Sequence, residues 1–88
     1  MKIKKGFMLR NVANNYIVVP VGAASKSFNG MITLNETSAF LWNNLLESKT
    51  KEELINLLIN EYDVDITLAT NDVEYFINKL KEIKVLED

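Results

Sequence analysis

Three β-strands followed by three helices, an α+β fold, are what the sequence predicts, and three observations carry that expectation. β-branched and aromatic runs separated by turn residues mark the first 35 residues, and apolar residues at helical spacing fill the rest. Helix-capping signals separate the helical stretches. With 88 residues there is room for one domain spanning 1–88, with strands within about 7–34 and helices within about 36–84. Phe7-Met8-Leu9-Arg10-Asn11-Val12 and Tyr16-Ile17-Val18-Val19-Pro20-Val21 read as the first two strands. Ala13-Asn14-Asn15 between them supplies turn chemistry, because asparagine tolerates positive φ. Pro20 cannot donate to a ladder and should end the pairing or mark a bulge. Gly22 to Asn29 reads as a polar loop, and Gly30-Met31-Ile32-Thr33-Leu34 as a short third strand. Short links between consecutive strands favour an antiparallel meander.

The helices follow in order. Asn35 is a candidate N-cap, with Glu36 in the first turn, where a carboxylate suits the helix dipole. Ala39, Leu41, Trp42, Leu45 and Leu46 then share an arc at 100° per residue. Thr50-Lys51-Glu52-Glu53 is a capping box opening a second helix with Leu54, Ile55, Leu58, Ile59 and Tyr62 on one face. Asp65 or Thr67 can cap a third helix, whose Ala69, Val73, Phe76, Ile77, Leu80 and Ile83 form a narrow apolar stripe. Val85-Leu86 is expected to fold back on the core or to form a last short strand.

Composition excludes much chemistry. There is no Cys and no His, which removes thiol nucleophiles, imidazole bases, Cys/His zinc sites and disulfides. Gly6, Gly22 and Gly30 are too far apart for a phosphate loop. Asp63-x-Asp65-x-Thr67 with Glu74 matches four ligand positions of a calcium loop, but Leu68 stands where that loop needs glycine. An acidic helix start is the better reading. Asn35-Glu36-Thr37 has the form of a glycosylation sequon and is better explained as a cap. No apolar run reaches the ~20 residues of a membrane span, and no signal-peptide pattern opens the chain, so the expectation is a cytoplasmic protein with no membrane partner. No cofactor and no metal are implied.

The net charge of −2 hides a sorting. Residues 1–35 carry Lys2, Lys4, Lys5, Arg10 and Lys26 and no acid; residues 36–88 carry five lysines against all twelve acids, a net of −7. A small sheet beside three helices also resembles a winged helix, which raises nucleic-acid binding as the alternative. Reading duplex DNA needs a basic recognition helix. The acidic helical half, with Lys79, Lys81 and Lys84 offset by Asp72, Glu74 and Glu82, argues against it.

Met31-Ile32-Thr33-Leu34-Asn35-Glu36-Thr37-Ser38-Ala39-Phe40-Leu41-Trp42 resembles the strand-to-helix junction of PqqD-like proteins. The capping box of the second helix, and Asp72-Val73, Phe76 and Leu80 of the third, fit the same pattern in order. The resemblance implies a winged-helix-like fold and a non-catalytic precursor-peptide recognition domain of ribosomally made, post-translationally modified peptides. It implies that the leader segment of a precursor adds as a strand to the third strand, against the third helix. The bound peptide is presented to a modifying enzyme, in this family often a radical enzyme using an iron–sulfur cluster. Carried to this chain, the strand edge is Gly30, Met31, Ile32, Thr33 and Leu34, and the helix wall is Asp72, Tyr75, Phe76 and Lys79. Alternation puts Met31 and Thr33 on one face and Ile32 and Leu34 on the other, without saying which lines the cleft. An exposed third strand would also allow self-association into a homodimer. The charge sorting suggests that an acidic leader would favour the strand side, near Lys26 and Arg10. The family often has glycine where this chain has Lys84, so the path after Lys84 is left open.

Overall fold

The computed structural model describes residues 1–22 and 32–87. The elements are β1 (Lys2–Ile3), β2 (Phe7–Val12), β3 (Asn15–Pro20), β4 (Ile32–Leu34), α1 (Glu36–Asn44), α2 (Lys51–Tyr62), α3 (Ile66–Glu82) and β5 (Leu86–Glu87). The predicted order of three antiparallel strands and then three helices is present as β2-β3-β4 followed by α1, α2 and α3. Gly30 and Met31 of the predicted third strand, and most of the predicted loop, Lys26 included, lie outside the described residues. Among the described residues no helix is long and apolar enough to cross a membrane.

The β2–β3 turn is tighter than predicted. Ala13 and Asn14 alone form it, at φ 52 and 66, and Asn15 already pairs with Val12. Two central residues at positive φ match the right-handed twist of the strands they join, the geometry of a type I′ hairpin. Pro20 sits opposite Phe7 as the last residue of β3, where the missing N–H costs that pair nothing.

All three helix starts are local chemistry. Asn35 accepts from the Ser38 N–H at 2.8 Å, and Asp65 from the Leu68 N–H at 2.8 Å. Asp65 rather than Thr67 is therefore the cap of α3, and helix occupies the calcium-loop pattern from Ile66 onward. At α2 the Glu53 N–H donates to Thr50 Oγ1 at 3.1 Å, and the Thr50 N–H donates to Glu53 Oε1 at 2.9 Å. That second bond is the main reason the Glu53 carboxyl is held below its usual 4.5. A depressed carboxyl pKa contributes stability that is present above the unfolded value and lost as pH falls through the folded one. Urea titrations of the wild type and Glu53→Gln are therefore expected to differ most above pH 4.5 and to converge on acidification below it. A gap independent of pH would show that the charge plays no part.

The helices bury Leu41, Trp42, Leu54, Leu58, Val73 and Leu80 against Val18 of β3. Leu46, placed by periodicity on the buried arc of α1, is 55% exposed. The helix stops at Asn44 with Leu45 as its cap, and beyond the cap the helical phase no longer applies.

One short strand, β1, escaped the sequence reading, and a second, β5, is the last short strand it offered as one of two outcomes for Val85-Leu86. β1 pairs antiparallel with β5, Lys2 opposite Glu87 and Ile3 opposite Leu86. The first residues are also tied to the α1–α2 connection, the Ile3 N–H donating to the Leu45 carbonyl at 2.8 Å and the Lys49 N–H to that of Met1 at 2.9 Å. β5 answers the question left open after Lys84. Lys84 adopts the left-handed region at φ 62, and the Val85 N–H reaches back to the Leu80 carbonyl at 3.2 Å. The Lys84 N–H bonds the Lys81 carbonyl at 3.1 Å. These two bonds form a Schellman motif with lysine where glycine is usual. Val85 and Leu80, both fully buried, make the apolar contact that accompanies it. A side chain at this φ costs about 1 kcal/mol relative to glycine, so Lys84→Gly is expected to stabilise the domain by about that amount in chemical denaturation. A loss of stability would mean that the lysine side chain makes a compensating contact.

Candidate functional site

The hairpin fixes how the edge strand presents its backbone. In an antiparallel pair, residues alternate between exchanging both hydrogen bonds with their partner and pointing both groups the other way. Val12 and Asn15 flank a two-residue turn and so are a hydrogen-bonded pair. The Val21 N–H donates to the Gly6 carbonyl at 2.8 Å, which keeps the same phase to the far end of the hairpin. Tyr16 and Val18 therefore direct their N–H and C=O away from β2, toward β4. They stand opposite Leu34 and Ile32. It follows that Ile32 and Leu34 spend their main-chain groups on β3, whereas Thr33 turns its N–H and C=O to the outer edge. Among the described residues β4 has β3 as its one strand neighbour.

The side chains divide the same way. Leu34 is buried, Ile32 packs on the core, and Thr33 is exposed. The face left open by the sequence is thereby assigned: Ile32 and Leu34 point inward, toward α3, and Thr33 outward.

Between β4 and α3 runs a groove of about 260 Å³, lined by Ile32, Thr33, Leu34, Asn35, Ser38, Tyr75, Phe76, Lys79 and Leu80. Its floor is apolar, since Phe76 and Leu80 are 2% and 0% exposed. Its rim is amphipathic: Tyr75 is 70% exposed, and Lys79 lies one turn further along α3. Past Asn35 and Ser38 a smaller hollow of about 70 Å³ continues the groove to Thr37 and Asp72. The structure thus brings Ile32, Thr33, Leu34, Tyr75, Phe76 and Lys79 to one groove and Asp72 to its extension. Gly30 and Met31 lie outside the described residues.

Sequence reasoning missed three lining residues. Leu80 lies four residues after Phe76 on the same helical face, a signal that pointed only to the core. Asn35 and Ser38 read as cap and first turn, and nothing in their spacing shows that the capped helix end also closes a groove. Arg10 pairs through Ile17 with Thr33, so it sits on the outer face two strands, ~10 Å, from the open edge. Among the described residues Lys79, not Arg10, is the cation beside the groove.

A larger hollow of about 540 Å³ lies at the hairpin end, among Asn11, Asn14, Asn15, Tyr16 and Glu36, and reaches Thr33, Leu34 and Asn35 at the end of β4. Its side chains are mostly asparagines and it has no floor like that of Phe76 and Leu80, so it offers a peptide fewer apolar anchors than the groove does. Among the described residues no group of three or more His, Cys, Asp or Glu is placed to hold a metal ion.

Comparison with known proteins bears on this geometry. Residues 15–86 match the family described as coenzyme PQQ synthesis protein D (PqqD). The chain belongs to the PqqD family. The PqqD match takes in β3, β4, all three helices and the first residue of β5, and therefore the whole described groove. Two solved structures share the fold of this PqqD-family chain. One, "TbiB1 in complex with the TbiA(beta) leader peptide", superposes with a TM-score of 0.75 at 22% identity, covering 99% of this chain and 95% of that one. The other, "Lasso peptide synthetase B1 complexed with the leader peptide", gives a TM-score of 0.71 at 21% identity, covering 92% and 89%. No curated protein sequence matches the chain significantly.

Proposed function

We propose that this PqqD-family domain is a non-catalytic module that binds the leader segment of a ribosomally made precursor peptide by strand addition to β4, and presents it to a modifying enzyme. The observation that carries this reading is the outward-facing N–H and C=O of Thr33 beside an apolar groove floored by Phe76 and Leu80. Family membership supports it, as does the likeness to two proteins whose structures were determined with leader peptides. Strand addition draws affinity from main-chain hydrogen bonds and selectivity from alternate side chains entering pockets. Inward side chains of the leader would enter between Ile32 and Tyr75; outward ones would flank Thr33. A basic leader residue suits the Asp72 end and an acidic one the Lys79 side.

The energies set the scale. From Ile32 to Asn35 the edge offers the two groups of Thr33 and the Asn35 N–H, about 3 kcal/mol at ~1 kcal/mol per bond. Ordering a flexible leader costs 2–5 kcal/mol or more, roughly cancelling that gain. Net affinity then rests on apolar anchors at about 2 kcal/mol each, which favours micromolar over nanomolar binding. Such an interaction suits a carrier that must release its peptide. The enzyme that receives it, on this reading, acts in the cytoplasm and belongs to the classes that modify such precursors, radical iron–sulfur enzymes among them.

Titrating isotopically labelled protein with the leader segment of a precursor encoded beside the domain tests the reading. Amide shifts are expected at Ile32–Asn35 and along Asp72–Leu80. Shifts confined to Asn11–Asn15 and the hairpin turn, or a concentration-dependent dimer that the peptide fails to dissociate, would overturn it.

A further inference from the structure

On the flank of α3 away from the groove, Met1, Lys4, Lys81, Lys84 and Leu86 enclose a hollow of about 420 Å³. Lys79 and Lys81 are two residues apart, about 200° around the helix, so the groove and this hollow lie on nearly opposite flanks. None of its three lysines forms an ion pair among the described residues. The adjacent Glu87 is engaged with Lys2 across β1–β5 at 3.4 Å and does not neutralise them. The lining itself holds three cations and no acid around two apolar side chains, with Glu82 next to Lys81 in the chain and Glu74 engaged by Lys51. Lys84 borders the hollow just past the Ile83 cap of α3.

We propose that this hollow is a second docking surface, which takes a carboxylate-rich, partly apolar segment of a partner protein while the groove holds its own peptide. Carboxylates pair with Lys4, Lys81 and Lys84, and an apolar residue of the segment covers Met1 and Leu86. A nucleic acid fits less well. Its phosphates would meet an acidic helical half of net −7, and it has no use for the apolar floor. A short acidic segment needs only the local field. The surface does not depend on what occupies the groove, so its test is independent of the leader.

The probe is a capped hexapeptide of four glutamates and two leucines, with its glutamine counterpart as control, titrated into labelled protein at low salt. The acidic peptide is expected to shift the amides of Lys4, Lys81, Lys84 and Leu86, with shifts that shrink as salt screens the charges. The glutamine peptide should leave them unmoved. Lys84→Gly separates structure from binding: its melting temperature should rise while its affinity for the acidic peptide falls about two- to fivefold. Lys4→Gln, at an exposed position, should weaken binding by a similar factor. Equal shifts with the glutamine peptide, no shifts at 5 mM, or unchanged affinity in both variants would overturn the proposal. So would a short DNA duplex that binds at these lysines more tightly than the peptide.

Discussion

Replacing Thr33 by proline is expected to remove leader binding while leaving the domain folded. The Thr33 N–H points to the open edge, so proline deletes no bond of the β3–β4 ladder. Edge strands tolerate proline when the missing donor faces outward, and the preceding residue is already extended, as proline requires. The cost to stability should stay near 1 kcal/mol. For an added strand the consequences are larger. One hydrogen bond is lost, the peptide carbonyl that used it is left without a donor, and the proline ring occupies its approach. Together these amount to about 2–4 kcal/mol, a thirty- to thousandfold loss of affinity. Ile32→Pro is the informative contrast, because the Ile32 N–H belongs to the ladder opposite Val18. That variant should lose stability as well as binding. Calorimetric titration and thermal melts of the two variants decide the matter. Leader affinity within threefold of wild type in folded Thr33→Pro would exclude strand addition at this edge.

Much of this architecture was legible in the sequence because it is locally determined. A cap is a side chain bonding an N–H three residues away, and Asn35, Thr50 with Glu53, and Asp65 all act within one turn. The stripe Ala69, Val73, Phe76, Ile77, Leu80 and Ile83 is likewise set by helical period; the first five are buried, and Ile83, the cap of α3, is half-buried. What escaped depends on distant parts of the chain. β1 is two residues long and pairs with β5 across more than eighty positions, so it carries no pattern of its own, and for β5 the sequence left a fold-back and a last short strand both open. Leu46 failed for a related reason: periodicity describes a helix but does not say where it stops.

The groove shows the same division. Its residues could be proposed from the sequence, but not their presentation. Whether Thr33 or Ile32 turns its backbone outward depends on the phase of the hairpin, which rests on Ala13 and Asn14 alone forming the turn. A three-residue turn, as the run Ala13-Asn14-Asn15 first suggested, would have shifted the register and changed the answer. Charge sorting was also coarser than the molecule. Among the described residues of the basic segment, Arg10 sits on the outer sheet face and Lys2 is engaged with Glu87, so these two do not line the groove.

Phe76→Ala should produce the other large effect, and its value lies in comparison with Trp42→Ala. Both side chains are nearly fully buried, at 2% and 1% exposed. Truncating either leaves a large cavity and costs about 3–5 kcal/mol. A domain of this size has about 4–13 kcal/mol in all, so each variant should melt tens of degrees lower or be partly unfolded at 25 °C. Only Phe76 also lines the groove; Trp42 does not. Ligand bound to the folded state alone restores about 2.7 kcal/mol at a hundred times its dissociation constant. Trp42→Ala keeps the groove and should recover that full amount when leader is added. Phe76→Ala has lost part of the floor, so its dissociation constant rises and the same leader concentration restores less. The difference in rescue, read from melts with and without peptide, isolates the contribution of Phe76 to binding from its contribution to the core. Equal rescue of the two variants would confine Phe76 to packing and place the anchors nearer Tyr75 and Lys79, on the exposed rim of α3.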